Sequence, residues 1–511
     1  MPIGRTYAIS LLGLQGAVVE IEADISSNLP AFVLIGLPDT ALGEAKDRVR
    51  SAATNSGCGL PNRKITINLS PAALPKHGSG FDLGIALSAL AAAGTVSAES
   101  IERVLHLGEL GLDGRLRPIN GILPAVLAAR TAGFAAVMVP VGNADEAALV
   151  PGIRVVAAAS LRDAAIWHGG RFDPVPVEPL IRAAPAVPGD DPLELADVIG
   201  NSDAIEALIV AAAGGHHAFF LGPPGAGKTM LAGRLPGLLP DLDADAALEV
   251  SSIRSLSGLP VGGALSIRPP FENPHHTASA AALVGGGSAL IRPGAAARAA
   301  HGVLFLDEAP EFASNVLDAL RQPLESGIIA IHRANAVAYF PGSFQLVMAA
   351  NPCPCGQYGA RESSCTCPPM ARRRYLGRLS GPLLDRIDIQ FRVQRITSAQ
   401  VRVAEQSLRM TTATARERVT AARAAAAARL ADTPWALNSQ VPGAWLRGQG
   451  VRLMPAVTAA IDRALERGGI TMRGYDRVLR LAWTIADLDG ASTPGEGHIG
   501  QALYLRRAIS S

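Results

Sequence analysis

The residues Gly222-Pro223-Pro224-Gly225-Ala226-Gly227-Lys228-Thr229 stand directly after the apolar run Ala218-Phe219-Phe220-Leu221 and open an amphipathic stretch. Strand, glycine loop and helix in that order make a phosphate cradle. The glycines let backbone N–H groups curl around a triphosphate, Lys228 reaches its β- and γ-oxygens, and the Thr229 hydroxyl ligates Mg²⁺. The chemistry expected is the binding of ATP or GTP, with Ile199 upstream as a further lining residue. The chain holds only four lysines, Lys46, Lys64, Lys76 and Lys228, and one of them sits where a phosphate needs it.

Hydrolysis needs more groups than binding does, and later segments offer them. Val303-Leu304-Phe305-Leu306-Asp307-Glu308 has the pattern of a buried strand ending in two acids, Asp307 to help hold Mg²⁺ and Glu308 to polarise the attacking water. A further apolar strand, Phe344 to Ala350, ends in Asn351, whose amide could orient that water or sense the γ-phosphate, the sensor-1 position of AAA+ ATPases. Ser380 to Asp388 looks like the segment in which related ring ATPases project an arginine finger into a neighbouring subunit's site. Arg386 is the finger candidate, a role worth roughly 10³–10⁵ in rate in GTPases, with local pairing to Asp385 or Asp388 as the alternative. In Met472 to Arg480, Arg473 and Arg477 lie one helical turn apart, and either could reach the γ-phosphate as sensor 2. The order Arg-Gly-x-x-x-x-Leu-Arg resembles magnesium-chelatase-type ATPases and favours Arg473.

Cys353-Pro354-Cys355 and Cys365-Thr366-Cys367 follow Asn351 directly. Four thiolates at that spacing suit a closed tetrahedral Zn²⁺ site that staples a loop too small for its own core; four reduced cysteines without metal are the alternative. Cys58 stands apart as a buried residue. Seven arginines and two aspartates between Arg372 and Arg395 fit phosphate contacts, subunit-interface pairing or a solvated face. Ile328 to Tyr339 predicts a hairpin with His332 to Asn335 at its tip, making Arg333 a candidate for DNA phosphate contact or part of a plain solvated turn. His275-His276 have no cysteine or acid nearby at ligand spacing, which predicts a structural or DNA-facing loop.

These groups need a scaffold, and the 511 residues are enough for about three domains. With 49% hydrophobic, 18% charged and 4% aromatic residues, the chain packs through aliphatic side chains and excludes extended disorder. A formal net charge of +2 leaves any nucleic-acid contact to local basic surfaces. No run of about 18 apolar residues and no signal-like N-terminus occur, so a cytoplasmic protein without a membrane partner is expected. Residues 1–171 alternate short strands and Ala/Leu-rich helices. Residues 172–192 form a linker containing Pro174, Pro176, Pro179, Pro185, Pro188 and Pro192, 193–395 an α/β core around the P-loop, and 396–511 a helical subdomain.

Taken with Gly36 to Ala41, Ile67 to Ala72, Leu74 to Leu83 and the insertion Arg268 to Gly287, these motifs resemble the ComM family, also described as YifB-like or magnesium-chelatase-like AAA+ ATPases, over nearly the whole chain. The resemblance implies an α/β P-loop AAA+ core with a C-terminal helical lid, preceded by an α+β domain similar to that of Lon protease. It further implies ATP and Mg²⁺ as cofactors, a hexameric ring, and ATP-driven branch migration on branched or single-stranded DNA during natural transformation. Peptidase activity is not expected: Gly80 stands at the nucleophile's place and Leu123 at the lysine's. A MoxR-like protein remodeller is the other reading, and it would need a partner because no D-x-S-x-S adhesion motif appears.

Overall fold

The computed structural model describes residues 3–36, 40–72, 74, 76, 78–181, 193–287, 291–333, 336–358, 365–397, 400–402, 408–448 and 451–506. The family segment at Leu37-Pro38-Asp39, Pro75 and His77, the linker from 182 to 192 and the hairpin tip at Ala334-Asn335 lie outside the described residues.

The N-terminal unit is built on a seven-stranded sheet. Its strands are β1 (Gly4–Leu12), β2 (Gln15–Ser26), β3 (Ala31–Ile35), β4 (Lys64–Ser70), β5 (Leu105–His106), β6 (Ala136–Pro140) and β7 (Arg154–Ala158), in the order β3-β4-β2-β1-β5-β6-β7. Alternation decides which face is buried: Ile65, Ile67 and Leu69 of β4 point inward while their neighbours are half-buried. Helix α1 (Asp82–Ala92) is apolar almost all round and wholly buried against this sheet. Helix α2 (Ile122–Thr131) packs on strands β1 and β2 and also reaches the following unit, where it meets the helix Ala244–Leu256.

The second unit has α3 (Ser202–Gly214), β8 (Ala218–Leu221), α4 (Lys228–Leu238), α5 (Ala244–Leu256), β9 (Phe271–Glu272), β10 (Val303–Leu306), the hairpin β11 (Ile328–Arg333) with β12 (Ala336–Pro341), β13 (Gln345–Ala350), α6 (Pro369–Leu376) and β14 (Ile389–Arg392). Its core sheet, β9-β10-β13-β8-β14, is parallel at every pairing. The central strands β8, β10 and β13 are buried at every residue, as parallel strands covered on both faces must be. Parallel strands bring their carboxyl ends to one edge, and that edge carries the P-loop, Asp307-Glu308 and Asn351 together.

The helical tail comprises α7 (Thr412–Arg429), α8 (Pro455–Glu466), α9 (Met472–Leu488) and α10 (Glu496–Leu505). Val419 of α7 and Val478 and Leu481 of α9 share one core with α3 and the sheet. Arg418 forks onto Glu206 of α3 at 2.8 and 3.2 Å, and Arg423 donates to the Ala212 carbonyl at the C-terminal end of that helix at 2.7 Å. Among the described residues no helix is long and apolar enough to cross a membrane.

Candidate active site

Gly222 to Gly227 turn from β8 into α4, and Gly227 holds the left-handed conformation at φ 86°. A Cβ there would meet no atom within 4 Å, so the space in front of the loop is open. Pro224 to Met230, Asp307, Glu308, Ala350 and Asn351 line a cleft of about 390 Å³. The Lys228 ammonium donates to the carbonyls of Gly222 (2.7 Å) and Pro223 (3.0 Å) and to Asn351 Oδ1 (3.1 Å). Burial lowers its pKa, opposed by Asp307 and Glu308; a triphosphate would supply the anionic partner that Lys228 here finds in neutral carbonyls.

Thr229 Oγ1 donates to Asp307 Oδ2 at 2.6 Å, so the two groups chosen for Mg²⁺ already converge on one point. Glu308 sits next to them at φ 50°, a left-handed conformation that costs a non-glycine residue of order 1–3 kcal/mol and commonly marks a functional position. Its N–H bonds the Asp307 carboxylate at 2.9 Å, which fixes one acid against the other. Ile199 is half-buried two residues before Asn201, whose amide donates to Ala226 O of the loop at 3.4 Å. The donor set and the open cradle fit ATP and Mg²⁺: Thr229 and Asp307 would hold the ion, with the Glu308 carboxylate beside them at the mouth of the same cleft.

Sequence reasoning missed one neighbour. His276 Nδ1 lies 3.5 Å from Glu308 Oε2, because β9 pairs with β10 and delivers the Asn273-to-Ser279 loop to the same sheet edge. His276 therefore has an acidic partner after all, 32 residues away in sequence and adjacent only through the fold. Arg298, forked onto Glu272 at 3.1 and 2.8 Å, holds the base of that loop.

Arg386 and Arg473 do not line the P-loop cleft of their own chain. They meet in a second cleft with Leu324, Glu325, Asp385, Asp476, Arg477 and Arg480. Arg386 donates to Glu325 at 2.6 Å and to Pro382 O at 2.7 Å, rather than to Asp385 or Asp388. The two helix-face arginines separate clearly. Arg477 is paired with the buried Asp388, which also accepts from His216 at 3.0 Å; burial alone would raise Asp388, but Arg477 and His216 hold it well below the usual carboxylate range. Arg473 is 73% exposed, with Asp385 at 3.8 Å. Arg333 is exposed at the end of β11.

The sulfurs of Cys353, Cys355, Cys365 and Cys367 all lie within 4.8 Å of one another, with three pairs at 3.3, 3.7 and 3.6 Å. A tetrahedral zinc with Zn–S bonds of about 2.3 Å has S···S edges of about 3.8 Å, so the donor set fits such an ion. The Cys355 thiol is drawn down to about 6 by the Gln357 N–H and then by Cys353.

In the N-terminal unit Leu123 is fully buried, and its N–H donates to Ser255 Oγ of α5 at 3.3 Å. Lys76 is buried with its ammonium donating to the carbonyls of Gly36 (3.0 Å), Pro71 (2.5 Å) and Leu74 (3.1 Å), and Ser79 donates to Glu109.

Comparison with known proteins fits this geometry. Residues 194–401 match the family model described as magnesium chelatase, subunit ChlI; residues 21–143 match subunit ChlI of Mg-chelatase; residues 409–506 match its C-terminal part. Competence protein ComM of Haemophilus influenzae is 40% identical over 510 residues, covering 100% of this chain and 98% of its own. The chain belongs to the ComM family. An uncharacterised protein of Mycobacterium tuberculosis is 47% identical over 508 residues, 99% of either chain. The Lon protease of Mycolicibacterium smegmatis is 31% identical over 156 residues, 29% of this chain and 20% of its own. This ComM-family chain is thus an AAA+ ATPase of the magnesium-chelatase type with a partly Lon-like N-terminus.

Proposed function

We propose that this chain is an ATP-driven motor on DNA that works as a closed ring, with six subunits as the expected number, in the cytoplasm. The observation that carries the reading is the separation of Arg386 and Arg473 from the P-loop cleft of their own chain. A nucleotide held by Lys228, Thr229 and Asp307 then needs a guanidinium from the next copy to stabilise charge at the transferring phosphate. Arg386 is that finger, and Arg473 is sensor 2. Glu308 accepts the proton as water attacks, with Asn351 steadying the same end of the phosphate chain. When bound, Mg²⁺ neutralises phosphate charge between Thr229 and Asp307. The hairpin β11–β12 with Arg333 contacts the phosphates of a strand in the ring's centre, and the four cysteines hold Zn²⁺.

The substrate follows from the name of the relative, a competence protein. Branched DNA produced when an incoming strand is integrated is the substrate, and branch migration is the work done on it. Purified protein with Mg²⁺ and ATP should move a labelled three-strand or four-way junction, and DNA should stimulate its ATPase. A preparation that hydrolyses ATP indifferently to DNA and leaves both junctions in place would refute the reading.

A further inference from the structure

The cysteine cluster is built against the nucleotide site. Cys353 follows Asn351 by two residues and is fully buried, and its carbonyl accepts the Gly356 N–H at 2.9 Å, closing a tight turn. Gly356 holds φ 75°, and a Cβ on it would stand 2.6 Å from both Cγ and Cδ of Pro224. The turn that carries the cysteines therefore rests directly on the phosphate loop. Pro224 is held from another side by Arg395, whose Nε donates to its carbonyl at 3.3 Å.

A second path reaches Asn351 itself. Helix α6 starts two residues beyond Cys367, and its Tyr375 is buried with its hydroxyl against the Asn351 backbone. The Arg372 guanidinium of that helix lies 3.8 Å over the Tyr358 ring, tying the helix to the first half of the cysteine loop. A cation bonded to all four sulfurs would staple the two halves of this loop together; without it only weak sulfur–sulfur contacts join them. The Gly356–Pro224 and Tyr375–Asn351 contacts are then no longer held from the cysteine side.

We propose that a soft divalent cation of the zinc class, bound by Cys353, Cys355, Cys365 and Cys367, sets the position of the P-loop, so that metal occupancy governs nucleotide affinity. This rests on the metal reading given above.

The test uses the full chain and reads binding rather than turnover. Metal content is measured with a colorimetric zinc reporter, and the affinity for a fluorescent ATP analogue is measured with Mg²⁺ before and after a thiol-selective chelator is applied and removed. Metal-free protein should bind the analogue about 10-fold more weakly or worse, and added Zn²⁺ should restore it. Cys365→Ser should lose metal and affinity together. Gly356→Ala should keep its metal yet lose affinity, because the added methyl displaces Pro224; far-UV circular dichroism checks that each variant is folded. Metal-free wild type with unchanged affinity would overturn the coupling while leaving the metal site standing. Protein that purifies without zinc and takes none up on titration would overturn the metal reading, and the coupling with it.

Discussion

Arg386→Ala separates an arginine acting within its own chain from one acting on a neighbour. Within the chain, Arg386 pairs with Glu325, whose side chain is 73% exposed, so its loss should hardly change stability. Its loss from a neighbour's transition state should lower kcat by roughly 10³–10⁵, about 4–7 kcal/mol of barrier, with little change in nucleotide affinity. Lys228→Ala inactivates the other half of the composite site. In a random one-to-one mixture of the two variants, a working site needs an Arg386→Ala subunit supplying the loop and a Lys228→Ala subunit supplying the finger. Each condition holds half the time, so about a quarter of interfaces regain both parts, and steady-state ATPase should recover to about a quarter of wild type. The assay is phosphate release against mixing ratio, with the maximum at equal amounts. Activity that never exceeds the sum of the two parents would refute action across an interface.

Glu308→Gln should retain the ATP analogue while hydrolysis falls about 10²–10⁴-fold, seen as slow phosphate release from a loaded protein. Asp388→Ala leaves Arg477 and His216 without their buried anion and should cost about 3–5 kcal/mol, read from urea unfolding. His168, bonded to Ser100 at 2.8 Å and to His106 at 2.9 Å, is pushed down to about 4 by burial. The unfolded chain takes up the proton that the folded ring refuses, so stability is full above about pH 6.5 and falls toward pH 4, by roughly 2 kcal/mol at pH 5. Urea midpoints at pH 7 and pH 5 should show this slope, and His168→Gln should reduce it.

The convergence of the P-loop, Asp307-Glu308 and Asn351 on one cleft was legible because a phosphate cradle is local: a glycine loop, its lysine and a hydroxyl must be contiguous, and Asp307-Glu308 need only end a buried strand. What escaped depends on partners far apart in sequence. Strand β1 carries Thr6 and Ser10 at buried positions, breaking the apolar alternation that marks a strand. Thr6 is tolerated there because its hydroxyl bonds the Ile101 carbonyl at 3.1 Å and His106 at 2.6 Å. Strand β5, two residues long, gives no periodicity to read. Local spacing set Arg473 and Arg477 on one helix face. Only Asp388, brought in from β14's approach, shows that Arg477 is anchored while Arg473 stays exposed.

The Lon-like portion makes the same point about chemistry and place. At the position where the protease resemblance calls for a catalytic lysine, the chain has Leu123, and the structure uses that turn for docking: Gly121 N donates to Ser255 O at 3.0 Å and Leu123 N to Ser255 Oγ at 3.3 Å. Leu248, Val261 and Leu265 of the ATPase unit pack onto the cluster formed by Leu123, Val126 and their neighbours. A lysine there would bury an ammonium among aliphatic side chains, with a large desolvation cost and no acid to meet it. Leu123 therefore takes part in the apolar contact joining the N-terminal sheet to α5. Helix α5 leads through residues 257–270 into β9, and the loop after β9 carries His276 to Glu308, so the turn that bears Leu123 braces the element leading to the P-loop cleft.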